Sequence, residues 1–281
     1  VSRVRFTGGE PLVRRDIVHL VELVARRTGI TRLAMTTNGS RLAELARPLR
    51  AAGLTSVNVS IDSLDPERFA QITRGGELSR VLSGVHAALD AGLEVKVNTV
   101  ILGGVNEQDA GALVDWAWSL NITPRFIELM PLGEAAKLSA THFLDRDRLL
   151  ELLGDRVRID ERPESVPGQG PARYLSARVE AGGSAREQNA DTTRKVGFIT
   201  AVSDEFCASC NRVRVNARGE IRACLASRRA LSLRDLIRAG EGDHAIALAI
   251  RRALGEKDAG HGFVDPAVSE HTRVGMSLIG G

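Results

Sequence analysis

Over about the first 130 residues, short runs rich in β-branched residues alternate with longer segments whose apolar residues recur every three or four positions. The runs read VRFT, RLAMTT, SVNVSID, EVKVNTVIL and PRFIELM, and the longer segments, such as RLAELARPLRAAG, mostly close with Gly or Asn. Such runs are typical of strands, and such segments of amphipathic helices. The alternation predicts βαβ units around a parallel sheet, which places the chain in the α/β class.

Candidate functional residues mark the carboxyl ends of the predicted strands: Thr7, 36–38, 60–62, Asn98 and Met130. An open doubly wound sheet concentrates its site at one switch point, whereas a barrel gathers residues from many strand ends at its mouth. We therefore expect an incomplete TIM-type barrel that lacks its first strand.

The alternation stops after the helical pattern RDRLLELLGD. A Pro- and Gly-rich stretch, RPESVPGQGPARYLSA, follows; then come a low-apolar loop at 181–193 and a strand pattern in RKVGFITAVS. Clusters of Pro and Gly mark turns and loops between regular elements. We expect two domains: a partial barrel over 1–155, and a smaller α+β extension over 156–281.

Composition narrows the class of protein. The 281 residues are 43% apolar and 26% charged. No apolar run approaches the roughly 18 residues that a membrane span needs, so we expect no membrane partner and a cytoplasmic location. The net charge of +3 and pI near 9.0 are too mild to indicate nucleic acid without a concentrated basic patch. The chain opens inside a predicted strand without Met, so we expect its start to lie upstream.

The stretch TGGEPL lies between the first predicted strand and the next helix. Adjacent glycines let a ligand approach the backbone and leave N–H groups free to bind it, and the carboxylate of Glu10 suits an ammonium group. A tight strand-to-helix turn is the alternative explanation.

Two polar residues on one strand, Lys96 and Asn98, alternate with valines and so share a face. In a barrel that face is the interior, where a Lys needs an anionic partner; a solvated face is the alternative. Arg5 raises the same question on the first strand. Either cation is suited to hold a phosphate.

The three cysteines all lie in CASCNRVRVNARGEIRAC, at Cys207, Cys210 and Cys224. An odd number cannot pair fully within one chain and nothing suggests export, so metal ligation ranks above a disulfide. A structural zinc site needs a fourth ligand, and a zinc ribbon with a distant His stays open. The six histidines are scattered, none at a ligand spacing beside the cysteines, and we assign them no function.

An iron–sulfur cluster is the other occupant. Such clusters normally take four thiolates, so three would leave one iron free to bind substrate. Arg212 and Arg214 follow the second cysteine on one strand face, where two guanidiniums can fork onto phosphate oxygens.

Together these motifs resemble the GTP 3′,8-cyclases, radical S-adenosylmethionine enzymes that begin molybdenum-cofactor biosynthesis. The similar blocks occur in family order over nearly the whole chain: VRFTGGEPLVRRD, TTNG, VNVSIDSLDPERF, VKVNTVILGGVN, FIELMPLG, KVGFITAVS, FCASCNRVRV, RACL and the terminal IGG. The resemblance implies an incomplete barrel of six βα units, a (β/α)6 fold, with a C-terminal extension that closes its mouth.

The resemblance also implies a set of site residues. Cys207, Cys210 and Cys224 would hold a 4Fe-4S cluster whose open iron binds the guanine of GTP. The residues that would contact GTP are Arg5, Thr36, Lys96, Arg212, Val213 and Arg214. Those that would contact S-adenosylmethionine are Gly9, Ser60 and Met130. The terminal Gly280 and Gly281 would belong to a tail that enters the active site.

In the implied reaction, a 5′-deoxyadenosyl radical abstracts the hydrogen at C3′ of GTP, and the carbon radical attacks C8 to give 3′,8-cyclo-7,8-dihydroguanosine 5′-triphosphate. The family's first cluster, held by a CxxxCxxC motif upstream of VRFTGGE, has no counterpart among these residues. We expect it in a missing N-terminal segment, and we expect the chain alone to be inactive.

Two alternatives remain from the sequence. One is a zinc-stabilised nucleic-acid-binding module, although only 4% of the residues are aromatic. The other is a different radical S-adenosylmethionine enzyme with an auxiliary cluster. For the GTP 3′,8-cyclase hypothesis we expect GTP as substrate, no nucleic acid, a homodimer and an electron donor of unknown identity.

Overall fold

A computed structural model describes residues 1–154, 158–159, 164–165, 171–178, 194–227 and 229–263 of the chain. The loop predicted at 181–193 and the C-terminal tail lie outside these residues.

Nine of the described strands form one sheet, in the order β1-β2-β3-β4-β5-β9-β8-β6, with β7 also paired to β8. Its strands are β1 (Arg3–Phe6), β2 (Arg32–Thr37), β3 (Ser56–Ser60), β4 (Glu94–Thr99), β5 (Thr123–Ile127), β6 (Arg158–Ile159), β7 (Glu164–Ser165), β8 (Arg173–Arg178) and β9 (Arg194–Ile199). Pairing is parallel from β1 through β5 to β9, and antiparallel from β9 onward to β8, β6 and β7. The predicted α/β class with a mostly parallel sheet is confirmed.

Helices lie between these strands along the chain, in the predicted segments and also at 66–73 and 135–142, where none was predicted. They are α1 (Ile17–Ala25), α2 (Leu42–Ala51), α3 (Pro66–Thr73), α4 (Leu78–Asp90), α5 (Ala110–Ser119), α6 (Ala135–His142) and α7 (Arg146–Leu153). Local sequence sets some of their ends: Asp65 caps α3 by accepting a 2.8 Å hydrogen bond from the Arg68 N–H, and Pro66 occupies the first turn. None of the described helices is long and apolar enough to cross a bilayer.

The two faces of the sheet differ in chemistry. Val57, Val59, Val95 and Val97 are 0 to 6% exposed and belong to one apolar cluster with residues of α1, α2, α4 and α5. Because side chains alternate along a strand, their neighbours point to the other face, and these include the buried polar residue Asn58. The sheet therefore has an apolar face under the helices and a polar face that is only partly buried.

The chain divides into two compact units. The first consists of Val1–Phe6, Glu10–Leu129 and His142–Thr200, and the second of Thr7–Gly9, Met130–Thr141 and Ala201–Gly281. The second contains an antiparallel sheet of β10 (Arg214–Val215), β11 (Glu220–Arg222) and β12 (Leu231–Ser232), and the helices α8 (Leu233–Arg238) and α9 (Asp243–Gly255). The predicted C-terminal α+β region is thus present as a small antiparallel sheet with helices.

Candidate functional site

Three of the predicted site residues share the polar face of the large sheet. Thr36 lies beside Asn58 in register, and Asn58 lies beside Lys96. Ser60 follows Asn58 by two positions on β3 and lies beside Asn98. Partners in register and residues two apart on a strand point to the same side, so Thr36, Ser60 and Lys96 face one space.

Arg5 joins this face from β1. It lies beside Ala34, two positions before Thr36 on β2. Its Nη1 donates a 3.3 Å hydrogen bond to the Thr36 hydroxyl. The structure therefore brings together two of the residues that the sequence assigned to GTP.

Lys96 is buried, which rules out the solvated face considered from the sequence. Its anionic partner is Glu94, two residues earlier on the same strand, and Glu94 also pairs with Arg32. Burial lowers the pKa of Lys96 although Glu94 opposes the shift. Burial alone would raise the pKa of Glu94, but the hydrogen bond and charge of Lys96 and the charge of Arg32 outweigh it and lower that pKa. The ammonium of Lys96 is therefore already shared with a carboxylate.

Among the residues that the structure describes, Glu10 does not meet an ammonium group. One carboxylate oxygen accepts hydrogen bonds from the Leu12 N–H at 3.0 Å and the Thr37 hydroxyl at 2.6 Å, and the other accepts from the Asn38 N–H at 2.7 Å. These neutral donors fix the segment after β1 to the end of β2. Gly9, just before Glu10, is exposed, so its backbone is accessible to a ligand.

A hairpin in the second unit carries the cysteines. Cys207 begins a single 3-10 turn, and the N–H of Cys210 donates to its carbonyl at 3.1 Å. Strands β10 and β11 then pair, and the turn between them needs Gly219 at a φ of 75°. Cys224 follows β11 and packs, with Met130, against a small apolar cluster of Leu132, Ala226 and Phe263. All three thiols are free and half-buried.

The surroundings shift the pKa values of Cys207 and Cys210 in opposite directions. Burial raises the pKa of Cys207, as do the negative charges of Glu205 and the other two cysteines, while a hydrogen bond from the His261 N–H opposes the shift. Burial also acts on Cys210, but hydrogen bonds and charge from Arg212, with help from Lys257, lower its pKa to about 7. A thiolate is the form that ligates metal, so Cys210 is poised to bind.

The two arginines after Cys210 belong to this site. The guanidinium of Arg212 lies 5.1 Å from the centre of the Phe206 ring. Burial and the charge of Arg212 lower the pKa of Arg214, whereas thiolate charges on Cys210 and Cys224 raise it. Val213 separates the two arginines and is half-buried. The hairpin thus brings two guanidiniums into the electrostatic range of the thiols.

Sequence reasoning missed two residues beside Cys207. Ligand atoms of Glu205, Cys207 and His261 lie within 4.8 Å of one another, a spacing suited to a single metal ion. His261 Nδ1 lies 3.2 Å from a Glu205 carboxylate oxygen, and its ring stacks on Phe263 at 4.0 Å. Glu205 stands near Cys207 in sequence and could have been considered; His261 lies far along the chain and gives no local signal.

A cleft of about 340 Å³ opens beside the last cysteine, bordered by Cys224, Ser227, Arg229, Asp258 and His261. Its borders combine a thiol, a cation and a carboxylate, which suits a polar ligand. Gly280 and Gly281 lie outside the described residues.

A further residue that the sequence analysis missed is Arg125 of β5, which lies beside Asn98 in register and therefore on the polar face. It is 3% exposed, and its Nε and Nη2 have no hydrogen-bond partner among the described residues. The strand alternation in TPRFI, which places Arg125 between buried Pro124 and Phe126, was the available signal.

Two family models match most of the chain. Residues 1–117 match the Radical SAM superfamily, and residues 122–263 match Molybdenum Cofactor Synthesis C. The second match contains all three cysteines.

Curated relatives match over similar lengths. A GTP 3′,8-cyclase of Rhodopseudomonas palustris strain TIE-1 is 41% identical over 290 residues, covering 100% of this chain and 79% of the relative. One of Heliobacterium modesticaldum is 39% identical, covering 100% of this chain and 82% of the relative. One of Paracoccus denitrificans is 42% identical, covering 94% of this chain and 73% of the relative.

Solved structures are more distant. A radical SAM methyltransferase from Sphaerobacter thermophilus has a TM-score of 0.44 and 17% identity, covering 54% of this chain and 48% of that one. A likeness at this level carries no functional argument.

Proposed function

This chain belongs to the GTP 3′,8-cyclase family of the radical S-adenosylmethionine superfamily, and from that membership we propose that it acts in the first step of molybdenum-cofactor biosynthesis. Its substrate is GTP, which is converted to the 3′,8-cyclised nucleotide. One observation within the chain carries the proposal: three free thiols lie in one unit. The pKa of Cys210 is lowered to about 7, and Arg214 interacts electrostatically with the thiolates of Cys210 and Cys224.

The donor set fits a 4Fe-4S cluster. Cys207, Cys210 and Cys224 influence one another electrostatically, yet the three sulfurs do not form a group of single-ion size. A cluster spaces its cysteine ligands more widely than a single zinc ion does, because each sulfur binds a different iron. When bound, such a cluster supplies an iron without a protein ligand, at which the purine of GTP can coordinate.

Two sets of residues are proposed as GTP contacts. Arg212 and Arg214 bind phosphate oxygens, since a guanidinium presents paired N–H groups and keeps its charge when buried. Arg5, Lys96 and Thr36, which share the polar face of the large sheet, are proposed as further GTP contacts. Fixing the triphosphate by several charge-assisted hydrogen bonds orients the ribose, and orientation is the protein's main contribution to such chemistry.

The residues proposed for S-adenosylmethionine are Gly9, Ser60 and Met130. Ser60 is exposed at the carboxyl end of β3 and Gly9 is exposed after β1, so both offer polar groups to a ligand. A second cluster needs cysteines beyond the three in this sequence, and its residues are not present here.

The proposal also covers the type of barrel, the roles of the two domains and the oligomeric state. The consecutive parallel order of β1 to β5 supports an incomplete (β/α)6 barrel, since barrel strands follow chain order around the axis. We propose that 1–155 forms the partial radical SAM barrel, which also supplies Arg5, Thr36 and Lys96 to GTP, and that 156–281 forms the domain that binds GTP and the auxiliary cluster. A homodimer and a separate electron donor complete the proposal; light scattering after size-exclusion chromatography tests the dimer.

The test of GTP binding begins with anaerobic reconstitution of the 281-residue chain with iron and sulfide. We expect about four irons and four sulfides per chain by the cluster's stoichiometry, and GTP binding by calorimetry. A nitrogen coupling from guanine in the cluster's magnetic-resonance spectrum would then identify coordination. Cys224→Ser should lose the cluster. Iron-loaded protein that fails to bind GTP would refute the proposed function.

The arginines separate this family from other radical S-adenosylmethionine enzymes. Arg212→Ala and Arg214→Ala should each weaken GTP binding by about tenfold or more, because a lost charge-assisted hydrogen bond costs about 1.5–3 kcal/mol. Arg218→Ala, an exposed residue in the same hairpin, is the control for a lost positive charge. Unchanged GTP affinity in both active-site variants would favour a different enzyme with an auxiliary cluster.

One observation favours a second candidate, a zinc-stabilised module: the grouping of Glu205, Cys207 and His261 at single-ion spacing. His261→Ala discriminates between the two. A zinc ion held there would be lost in this variant, whereas a cluster held by three cysteines keeps its iron. We expect the iron content to remain and zinc to be absent from both proteins; zinc without iron or sulfide in the wild type would establish the module.

A further inference from the structure

One register row carries polar residues across the large sheet. Ser60 of β3 lies beside Asn98 of β4, and Asn98 lies beside Arg125 of β5. Arg125 lies beside Gly197 of β9, which in turn lies beside Tyr174 of β8. Because residues in one row share a face, the side chains of this row all belong to the polar face.

Gly197 allows two long side chains in the row to approach each other. A Cβ atom at this position would lie 2.8 Å from Arg125 Cγ and 2.9 Å from Tyr174 Cε1, which is too close for either. The missing side chain therefore lets the guanidinium stem and the phenol ring close over the glycine backbone.

The polar ends of this row are unsatisfied. Asn98 Oδ1, Arg125 Nε, Arg125 Nη2 and the Tyr174 hydroxyl are buried and have no hydrogen-bond partner of ordinary geometry in the part of the chain that the structure describes, although Tyr174 lies close enough to Arg125 to oppose the lowering of the Arg125 pKa by burial. Arg125 is 3% and Tyr174 4% exposed. A buried group without a partner costs about 1–3 kcal/mol, more when charged, so an adjacent set of them points to a ligand.

The geometry of the unsatisfied atoms limits that ligand's chemistry. Nε and Nη2 form one edge of the planar guanidinium, and their two parallel N–H groups match two oxygens of a carboxylate or phosphate. The Tyr174 hydroxyl adds a neighbouring donor. Three donors on one side favour an oxyanion over a neutral or cationic group.

We propose that Tyr174 is a substrate- or cofactor-binding residue which, with Arg125, holds one oxyanion group of a bound ligand. The inference rests on the proposed function, which supplies two ligands with such a group: the phosphates of GTP and the carboxylate of S-adenosylmethionine. The hydroxyl of Tyr174 donates to the oxyanion, and the guanidinium edge of Arg125 binds two of its oxygens.

Tyr174→Phe tests the hydroxyl in the reconstituted 281-residue chain. We expect about a ten- to hundredfold loss of affinity for the ligand that occupies the site, the size of a charge-assisted hydrogen bond. Titration with GTP, and separately with S-adenosylmethionine, identifies which ligand that is. Guanosine, which lacks phosphate, and 5′-methylthioadenosine, which lacks the carboxylate, should bind both proteins equally. Ser176→Ala, two positions along the same strand, is the matched control.

Stability provides an independent readout. The Tyr174 hydroxyl makes no hydrogen bond of ordinary geometry among the described residues and interacts only weakly with Arg125, so its removal should change the stability of the ligand-free protein little. A lower melting temperature for ligand-free Tyr174→Phe would mean that the hydroxyl has a structural partner, and it would overturn the proposal. So would affinities for both GTP and S-adenosylmethionine within twofold of wild type.

Tyr174 is the single tyrosine of the chain, so a ring-labelled tyrosine gives one resonance. We expect that signal to shift with the occupying ligand and to stay fixed with its oxyanion-free analogue. If GTP binds and Arg214→Ala weakens it while the Tyr174 signal never moves with either ligand, this inference fails and the proposed function stands. If the wild type binds neither ligand, both fail.

Discussion

The guanidinium of Arg5 donates a 3.3 Å hydrogen bond to the hydroxyl of Thr36 on the neighbouring strand. The contact orients a flexible, exposed arginine before any ligand arrives. An arginine held in place loses less side-chain entropy on binding a phosphate than a mobile one does. The pair should therefore act together on GTP.

Arg5→Ala should weaken GTP binding by about tenfold, and Thr36→Val by less, because the valine removes only the orienting contact and one hydroxyl. In the double variant we expect a coupling free energy of about 1 kcal/mol, measured by a double-mutant cycle on calorimetric GTP affinities. Arg15→Ala, exposed at the start of the following segment, controls for charge. Strictly additive losses would contradict the coupling.

The alternation of residues along the strands was enough to predict the parallel sheet and to place Lys96 and Asn98 on one face. It could not predict how the row continues beyond β5. Tyr174 lies in a Pro- and Gly-rich stretch, yet β8 forms because it pairs with β9, which in turn pairs with β5, a strand distant in sequence. The contact between Arg125 and Tyr174 depends on that long-range order.

Glu94→Gln should strengthen GTP binding, because it releases the ammonium of Lys96 from the carboxylate that now pairs with it. We expect a decrease of about three- to tenfold in the dissociation constant at low ionic strength, becoming smaller as salt is added. The same change should lower the free energy of unfolding by about 1–3 kcal/mol, because the buried Lys96 loses its charged partner. Calorimetry and urea denaturation measure the two effects.

Glu44→Gln is the matched control for this variant. Glu44 forms an exposed ion pair with Arg41 at 3.5 Å, and its replacement removes the same charge from the chain. Exposed pairs contribute about 0–1 kcal/mol, so we expect neither affinity nor stability to change much. Equal gains in GTP affinity from both variants would show that net charge, rather than release of Lys96, is the cause.

Arg212→Ala should raise the pKa of Cys210, since Arg212 supplies hydrogen bonds and positive charge that lower it to about 7 in the wild type. The measurement uses the metal-free chain with Cys207→Ser and Cys224→Ser, so that one thiol remains. The rate of alkylation by iodoacetamide follows the thiolate fraction as pH rises. The midpoint of the rate against pH should lie near pH 7 with Arg212 present and at a higher pH in Arg212→Ala. Arg218→Ala should leave the midpoint unchanged. Identical pH profiles with and without Arg212 would show that Arg212 does not lower the pKa of Cys210.

The cysteine site shows a different limit of sequence reasoning. The spacing of Cys207, Cys210 and Cys224 predicted a hairpin, and β10 and β11 form one. The approach of His261 to Cys207 follows from packing of the segment after α9, which no spacing rule encodes. Local pattern thus located the thiols, whereas their neighbours depend on tertiary structure.

Asp62 is a titratable group at the carboxyl edge of the sheet whose environment favours its neutral form. Its Oδ1 accepts a 2.8 Å hydrogen bond from the Val100 N–H, but burial dominates and raises the pKa from 3.8 to about 6. Between these two values the folded chain holds a proton that the unfolded chain has released. The free energy of unfolding therefore falls as pH rises through this window and stays reduced above it.

Asp62→Asn removes the titration while keeping an oxygen that can accept the Val100 N–H. We expect the variant to be more stable than wild type by up to about 3 kcal/mol at pH 8, since one pKa unit corresponds to about 1.4 kcal/mol. The advantage should shrink steadily as the pH is lowered from 6 towards 4. Urea unfolding followed by tryptophan fluorescence reports this, because Trp116 and Trp118 both lie in α5 of the same unit. A stability difference that does not vary with pH would mean that the buried carboxyl of Asp62 is not the group responsible.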